Sequence, residues 1–257
     1  HLKHVVVVGG SGANSFDALL SDPEWEKQPD AQAILTAHRP GPDDVTQLIY
    51  TSGTTGEPKG VMHSANTVMA NIVPYAERLH LGADDVILMA SPMAHQTGFM
   101  YGLIMPILLR ASAVLLDVWA PRKAIELIRD EQVTFTMAYT HFLTDLATNV
   151  ADSGQPVPSL KTFLCAGAPI PGPLVEQARA ALGANVVSAW GMTENGAVTT
   201  TLPGDEPSRS VNTDGVPLDG VEVRVVDDAG GPMPTGEPGR LLLRACSNFG
   251  GYLKRPQ

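Results

Sequence analysis

The stretch AVLLDVWAPRKAIELIRDEQVTFTMA, residues 113–138, decides the fold class of this chain. The apolar runs at 113–118 and 133–138 are each typical of a buried strand. Between them, residues 121–132 have the spacing of a helix, which Pro121 is placed to begin. Two strands joined by a helix usually lie parallel in one sheet, because the helix returns the chain to the end of the sheet at which the first strand began. The stretch therefore predicts a parallel strand–helix–strand unit.

The same alternation of strand-like and helix-like segments continues on both sides of this unit, at 85–90, 98–110, 140–150, 160–166, 171–183 and 185–190. Thr140 is the expected N-cap of one of these helices, and Gly183 the expected end of another. The order predicts an α/β fold, in which a mainly parallel sheet is covered by helices on both faces to give αβα layers.

The pattern changes near residue 201. Pro, Gly, Ser and Asp dominate 203–220, and residues 221–227 then alternate apolar and polar side chains with period two. A turn at 228–231 separates them from a second strand-like run at 239–245. We therefore expect a small antiparallel β unit over 201–257, after an αβα region over 1–200.

Composition and charge exclude several classes of protein. The chain has 257 residues and a net charge of −10, which argues against a general nucleic-acid binder, since such a protein carries a basic stripe. Cys165 and Cys246 stand in no CxxC or Cys/His cluster and predict neither a disulfide framework nor a zinc site. We therefore expect a cytoplasmic protein. No apolar run reaches membrane-spanning length, so we expect no membrane insertion.

The first residues, HLKHVVVVGG (1–10), have the pattern of a buried strand. The segment GGSGANS (9–15) that follows imitates a dinucleotide-binding fingerprint. However, Ser15 stands in place of the third glycine, and no clear strand–helix–strand unit follows. We therefore do not predict a nicotinamide site.

Polar, glycine-rich segments follow the predicted strands: YTSGTTGEPKG (50–60), SPMAHQTGF (91–99), YTHF (139–142), GAPIPG (167–172) and GMTENG (191–196). In open parallel sheets, ligands bind outside the carboxyl ends of the strands. Because these segments all follow strands, we expect them to form one composite site.

The segment at 50–60 has the composition of a phosphate-binding loop. Its glycines permit unusual backbone angles, and its hydroxyls and Lys59 can interact with an anion. It is not the P-loop G-x-x-x-x-G-K-[ST], because Pro58 stands where the second glycine should be and Gly60 where the final hydroxyl should be. The alternative is a plain exposed turn.

Taken together, YTSGTTGEPKG (50–60) and SAWGMTE (188–194) resemble the adenylate-forming superfamily, which comprises acyl-CoA synthetases, nonribosomal adenylation domains and luciferases. The first matches the phosphate loop of that family. The second matches its Tyr-Gly-x-Thr-Glu motif, with Trp190 in place of the tyrosine. PMAHQTGF (92–99) resembles the His-x-x-Gly segment of acyl-CoA synthetases, and GAP (167–169) the adenine-side loop. The resemblance implies the later part of the large N-terminal domain, with 201–257 as the start of its β-barrel subdomain.

The reaction implied by this resemblance has two steps. A carboxylate attacks the α-phosphate of MgATP to give an acyl-adenylate and pyrophosphate, and a thiol, usually that of coenzyme A, then displaces AMP. The implied ligands are thus ATP, Mg²⁺, coenzyme A and a small carboxylic acid. The segment AWGMTENG (189–196) is similar to that of ligases for short-chain, medium-chain and cyclohexane-type acids. The sequence does not decide between a monomer and a homodimer.

The resemblance also implies roles for individual residues. Glu194 corresponds to the Mg²⁺ ligand and Thr193 to a donor to the α-phosphate, while His95 corresponds to a catalytic residue at the aperture between the ATP site and the acyl pocket. The implied nucleotide-binding residues are Thr51, Ser52, Gly53, Thr54, Thr55, Gly56, Lys59, Gly167, Ala168, Pro169, Trp190, Gly191 and Met192. Trp190 as a core residue and His95 as an exposed loop histidine are the alternatives. We interpret His63 and His141 as structural or incidental.

Two further functions remain open at this point, an adenylation domain that loads a carrier protein and a non-catalytic nucleotide-binding module. Amino-acid-activating domains place an aspartate near the His-x-x-Gly segment, but no aspartate lies between Asp85 and Asp117. This favours a plain carboxylic acid in an uncharged, apolar pocket, for which the expected walls are Tyr139, Cys165, Ala166, Val198 and 98–103.

The Thr-Gly-Asp motif of the family, whose aspartate holds the ribose, and the lysine of its C-terminal lid are absent from these 257 residues. We therefore expect a piece of a longer enzyme, which is inactive in isolation.

Overall fold

The computed structural model describes residues 5–12, 14–20, 24, 27–51 and 57–255. The chain divides into two compact units, His1–Gly41 and Pro42–Gln257. The predicted site residues all belong to the second unit.

The first unit contains two short helices, α1 at Phe16–Leu20 and α2 at Ala31–Ala37. The buried strand predicted at the start of the chain is wrong for the residues that are described there. Val5–Val8 are exposed, and Val7 forms an isolated bridge with Ser15. A run of valines favours an extended chain, but it is buried only where a sheet or a helix packs against it.

The second unit contains, in chain order, β1 (Val45–Thr51), β2 (Lys59–Ser64), α3 (Ala65–Arg78), β3 (Val86–Met89), a π-helical segment (Gly98–Ile104), α4 (Met105–Leu109), β4 (Ser112–Leu115), α5 (Pro121–Asp130), β5 (Phe135–Ala138), α6 (Thr140–Ser153), β6 (Thr162–Ala166), α7 (Gly172–Leu182), β7 (Asn185–Met192), β8 (Gly196–Thr200), α8 (Pro207–Asn212), β9 (Val216–Pro217), β10 (Val221–Val226) and β11 (Arg240–Ala245).

Seven of the strands form one sheet in the order β4–β3–β5–β6–β7–β8–β9. The first five strands in this order are parallel, and β8 and β9 add to the edge in antiparallel pairs. The prediction of a mainly parallel sheet is therefore confirmed. The antiparallel strands β8 and β9 extend the sheet beyond β7, the last strand that we predicted for it.

Each face of this sheet is covered by helices over its own apolar cluster. Residues from α5, α6 and α7 pack on one face, and residues from α3, the π-helical segment and α4 pack on the other. Alternate residues of one strand separate cleanly: Leu88 belongs to the first cluster, whereas Ile87 and Met89 belong to the second. This is the period-two alternation of a strand that is buried on both sides, and it gives the αβα layers.

The helix ends agree with the sequence at Pro121, which begins α5, and at Gly183, but differ at Thr140. Gly183 ends α7 with a φ of +67°, as predicted. Thr140 is not an N-cap, because α6 begins at Thr140 itself and the extended Tyr139 precedes it without a side-chain cap. The apolar helix predicted at 98–110 is divided into the π-helical segment and α4. Two glycines allow this segment to approach its neighbours closely, since a Cβ at Gly98 would lie 2.2 Å from the Pro92 carbonyl oxygen and one at Gly102 2.4 Å from Met89 Cγ.

Two antiparallel hairpins accompany the large sheet. β10 and β11 pair as the alternating pattern predicted. β1 and β2 form a separate two-stranded sheet in which Thr51 pairs with Lys59. The segment at 50–60 therefore joins two antiparallel strands, and our expectation that it follows a strand of the parallel sheet is wrong. Among the described helices, none is both long enough and apolar enough to span a bilayer.

Candidate active site

A cavity of about 210 Å³ opens at the carboxyl ends of β5, β6 and β7. Among the described residues, none that lines the cavity carries a carboxylate or an ammonium group, so these walls offer no ion pair to a charged ligand tail. The lining consists of His95, Gln96, Thr97, Tyr101, Met137, Tyr139, Ala166, Gly167, Gly191, Met192, Thr193, Gly196 and Ala197.

His95 and Tyr139 form one side of this cavity. The backbone N–H of Thr97 donates to His95 Nδ1 at 3.1 Å, so the ring proton of the neutral histidine is on Nε2. That proton points to the Tyr139 hydroxyl, whose oxygen lies 3.1 Å from Nε2. Partial burial lowers the pKa of His95 and raises that of Tyr139, so both groups are uncharged at neutral pH.

Another part of the cavity lining belongs to the turn between β7 and β8, residues Met192–Ala197, which we call the 192–197 turn. It carries Thr193 and Glu194. Within the turn, the Asn195 side chain accepts a hydrogen bond from the Met192 backbone N–H at 3.0 Å. Gly191 precedes the turn where no side chain fits, because a Cβ there would lie 1.9 Å from the Gly196 carbonyl oxygen. The sequence motif thus folds into a tight hairpin turn.

His63 contacts this turn from β2. Its Nε2 lies 2.8 Å from the Thr193 carbonyl oxygen, which can only accept, so Nε2 carries a proton. Its Nδ1 lies 3.0 Å from Thr67 Oγ1, in the capping box by which Ser64 and Thr67 begin α3. Burial lowers the pKa of His63, although the hydrogen bond to Thr193 and the charge of Glu194 oppose this shift. We interpreted His63 as structural or incidental; the geometry makes it a direct support of a predicted site residue.

Glu194 lies beside residues from the end of the described chain. The Tyr252 hydroxyl donates to Glu194 Oε1 at 2.7 Å, and Lys59 Nζ lies 5.2 Å from the centre of the Tyr252 ring. Burial, followed by the hydrogen bond and the charge of Glu194, raises the pKa of Tyr252 to about 12. Tyr252 therefore contacts both Lys59 and Glu194, an arrangement that the sequence did not predict.

The remaining predicted nucleotide residues are distributed around the cavity. Gly167 lines it with a φ of +89°, and a Cβ there would lie 3.0 Å from the Tyr139 ring. Ala168 lines an adjacent open shelf beside Tyr139 and His141, and Trp190 lines a separate pocket beside Glu194. The predicted loop residues Ser52, Gly53, Thr54, Thr55 and Gly56 lie outside the described residues, between Thr51 and Glu57.

The cavity includes some of the predicted acyl-pocket walls and not others. Tyr139, Ala166 and, from 98–103, Tyr101 line it. Cys165 and Val198 do not; both are buried in the core, and burial raises the pKa of the Cys165 thiol to about 12, which keeps it protonated. A side chain at a strand end points toward or away from the rim according to its register, which the sequence alone left undecided.

Comparison with known proteins gives the class to which this chain belongs. The family model described as AMP-binding enzyme matches residues 1–253, so the chain is a member of the AMP-binding enzyme family. The resemblance that we drew from the motifs is thereby confirmed.

Individual relatives are similar over most of this chain. It is 34% identical over 228 residues to the medium-chain fatty-acid–CoA ligase of Escherichia coli (strain K12). The matched residues make up 89% of this chain and 40% of that protein. ATP-bound MatB from Rhodopseudomonas palustris matches with a TM-score of 0.77 and 27% identity over 85% of this chain and 43% of that one. O-succinylbenzoate coenzyme A synthetase (MenE) from Bacillus subtilis, in complex with ATP and magnesium ion, gives a TM-score of 0.76 and 27% identity over 84% and 44%. The chain therefore spans 40% to 44% of the length of these relatives.

Proposed function

We propose that this chain is part of an acid–CoA ligase, in which a carboxylic acid and MgATP give an acyl-adenylate and pyrophosphate, and coenzyme A then displaces AMP. The observation that carries the proposal is the uncharged cavity at the strand ends, lined by His95 and Thr193, with Glu194 next to Thr193 in the chain, in a member of the AMP-binding family. The likeness to a fatty-acid–CoA ligase and to two ATP-bound structures supports it.

We assign the nucleotide to the rim of this cavity. Thr51, Lys59 and the intervening Ser52–Gly56 would hold the β- and γ-phosphates, since amides, hydroxyls and one ammonium group suit an anion. Thr193 would donate to the α-phosphate. The adenosine would lie along the residues Gly167, Ala168, Pro169, Trp190, Gly191 and Met192. Such contacts position the α-phosphorus for attack by the acid carboxylate, while pyrophosphate leaves on the opposite side.

Glu194 has the chemistry that a Mg²⁺ ion requires. One of its oxygens accepts from Tyr252, and the other has no hydrogen-bond partner among the described residues. No group of three or more His, Cys, Asp or Glu side chains is clustered in the described chain. Mg²⁺ is usually bound by one or two carboxylates together with substrate phosphates and water, and Glu194 would be such a carboxylate. When bound, the ion would supply positive charge next to the phosphates.

The acid would occupy the interior of the cavity, where Met137, Ala166 and Ala197 provide apolar surface. Because no charged wall could pair with a second ionised group, we propose a fatty, alicyclic or aromatic monocarboxylic acid. We further propose that residues 1–200 form the nucleotide- and acyl-binding region and 201–257 the start of a β-barrel subdomain.

The test is ATP–pyrophosphate exchange by the full-length protein, over a panel of carboxylic acids, with AMP release on addition of coenzyme A. Glu194→Gln keeps the shape of the side chain and removes its charge, so exchange should fall at least about tenfold, or roughly 1.4 kcal/mol in the barrier.

Glu222→Gln is the matched control, since Glu222 pairs with Arg244 at an exposed position on β10 and should leave exchange unchanged. The isolated 257-residue chain should not turn over. Near-normal exchange by Glu194→Gln across a Mg²⁺ titration would contradict the metal assignment, and absence of exchange by the unmodified protein with every acid would contradict the proposed function.

A further inference from the structure

The backbone of the 192–197 turn is hydrogen-bonded by two side chains from distant parts of the chain. Asn71, on α3, donates from Nδ2 to the Asn195 carbonyl oxygen at 3.1 Å and to the Ala197 carbonyl oxygen at 2.7 Å. Tyr101, on the π-helical segment, accepts from the Ala197 backbone N–H at 2.8 Å. The same hydroxyl donates to Asn71 Oδ1 at 2.6 Å.

These bonds use every donor hydrogen of the two side chains. Both hydrogens of the Asn71 amide are donated, its oxygen accepts, and the Tyr101 hydroxyl both donates and accepts. A flipped amide would direct its oxygen at two carbonyl oxygens, so the network permits one orientation only. Asn71 and Tyr101 are each only 1% exposed, and water therefore does not compete for these bonds.

The turn also packs directly on the pair. Gly196 has a φ of +71°, and a Cβ at this position would lie 2.7 Å from the Asn71 side chain. Tyr101 in addition lines the cavity beside Thr193. Burial raises the pKa of Tyr101, so its hydroxyl remains a proton donor to Asn71.

We propose that Tyr101 is a positioning residue for the adenylation step, acting through Asn71 and Ala197 on the turn that carries Thr193 and Glu194. The proposal rests on the proposed function, because it assumes that this turn acts on the phosphates. Since Tyr101 forms part of the cavity wall as well, one buried hydroxyl fixes the turn relative to the space that we assign to the acid.

Tyr75 provides a matched control for the alternative that Tyr101 is only a core residue. The two rings are neighbours, with centroids 4.5 Å apart, and Tyr75 is fully buried. The Tyr75 hydroxyl contacts Met137 Sδ at 3.3 Å, with no hydrogen bond to the 192–197 turn among the described residues. In both variants the change to phenylalanine removes a buried hydroxyl oxygen. In Tyr101→Phe this also removes a hydrogen bond to the turn, whereas in Tyr75→Phe it does not.

The experiment compares Tyr101→Phe and Tyr75→Phe in the full-length protein, with activity normalised to the folded fraction. Tyr101→Phe should lower kcat for ATP–pyrophosphate exchange roughly ten- to a hundredfold, the range expected for a small misplacement of reacting groups, with little change in the KM for ATP. Tyr75→Phe should stay within about twofold. Hydrogen–deuterium exchange of the peptide that contains the 192–197 turn should become faster in Tyr101→Phe and not in Tyr75→Phe.

Equal kcat values for the two variants, or unchanged exchange of the turn peptide in Tyr101→Phe, would overturn the proposal. If Tyr101→Phe does not fold, Asn71→Ser, which retains one hydroxyl, should produce the same loss of kcat and the same faster exchange. An unmodified protein that shows no pyrophosphate exchange with any acid would instead refute the proposed function, and the hydrogen–deuterium comparison would still test the hydrogen-bond network.

Discussion

Thr193 and His95 line the same cavity, but the structure supports them in opposite ways. The backbone of the 192–197 turn accepts hydrogen bonds from His63 and Asn71 and donates one to Tyr101, and all three side chains are buried. His95 is much more exposed than these three residues, and among the described residues its hydrogen-bond partner outside its own loop is the half-buried Tyr139. One side of the cavity is therefore fixed by the core, and the other is held by a contact that water can replace.

This difference corresponds to the two tasks that we propose for the site. Stabilising charge at a phosphate requires donors and a carboxylate that are already in position, because reorganisation during the reaction would cost free energy. Admitting first an acid and then a thiol requires a side chain that can move without disturbing the sheet. We therefore expect substitutions behind the 192–197 turn to affect folding and kcat, and substitutions on the His95 side to affect substrate binding.

The largest effect should come from removing Asn71. Asn71→Ala deletes two donors and one acceptor at once and leaves the Asn195 and Ala197 carbonyl oxygens and the Tyr101 hydroxyl without this partner in the core. Each buried group left unsatisfied costs about 1–3 kcal/mol, so the free energy of unfolding should fall by roughly 3 kcal/mol or more. The midpoint of thermal unfolding should decrease by roughly 10 °C.

Asn66→Ala tests whether this cost depends on the network. Asn66 lies on the same helix, and its side chain bonds Asp43 at the surface, at 2.7 Å. This variant should change the free energy of unfolding by less than about 0.5 kcal/mol, as surface substitutions usually do. Equal shifts of the midpoint for the two variants would show that the fixed side of the cavity is no more constrained than the surface of α3.

A smaller effect should come from His63 and should depend on pH. Because burial lowers its pKa in the folded state, His63 stays neutral there, while in the unfolded chain it binds a proton near its usual pKa of 6.5. The unfolded state then binds more protons, so stability is fully present above pH 6.5 and is lost as pH falls below it, by at most about 1.4 kcal/mol per pH unit.

Denaturant unfolding between pH 5 and 7 measures this loss. His63→Asn should flatten the dependence of the free energy of unfolding on pH, since the proton uptake on unfolding is removed. His95→Asn serves as the comparison from the other side of the cavity and should flatten the pH dependence less, because His95 is more exposed than His63 and its charged form is better solvated. Indistinguishable pH slopes for the unmodified protein and His63→Asn would refute the argument.

The sequence predicted the layers of the fold because their signals are local. Pro121 and Gly183 mark helix boundaries through their own backbone preferences, and the apolar runs of β5 and β6 indicate buried strands. β2 was missed because its first two residues, Lys59 and Gly60, belong to the loop motif, and the remaining four show no separate strand signal. β8 was missed because the sequence after β7 resembles a polar loop, whereas Gly196 turns the chain back into an antiparallel strand.

The site was predicted in part for the same reason. Thr193, Glu194 and Gly167 belong to short motifs, and motifs are visible in the sequence. Asn71, Tyr101 and His63 were missed, because their function arises from contacts that span 124, 96 and 130 residues. An asparagine within an apolar helix face gives no local sign of the turn that it supports.

The smallest effect should come from Tyr139, on the His95 side of the cavity. Tyr139→Phe removes the hydroxyl beside His95 Nε2, but water can hydrogen-bond the ring nitrogen instead, so the free energy of unfolding should change by less than about 0.5 kcal/mol. Any loss of exchange activity should appear in the KM for the acid, by at most about threefold, with kcat nearly unchanged. Tyr101→Phe, the same substitution on the fixed side, should show the opposite division between KM and kcat. Steady-state exchange kinetics of the two variants, measured side by side on folded protein, give this division directly. A kcat for Tyr139→Phe as low as that for Tyr101→Phe would mean that the His95 side is as strictly positioned as the 192–197 turn, and the distinction between the two sides would then be wrong.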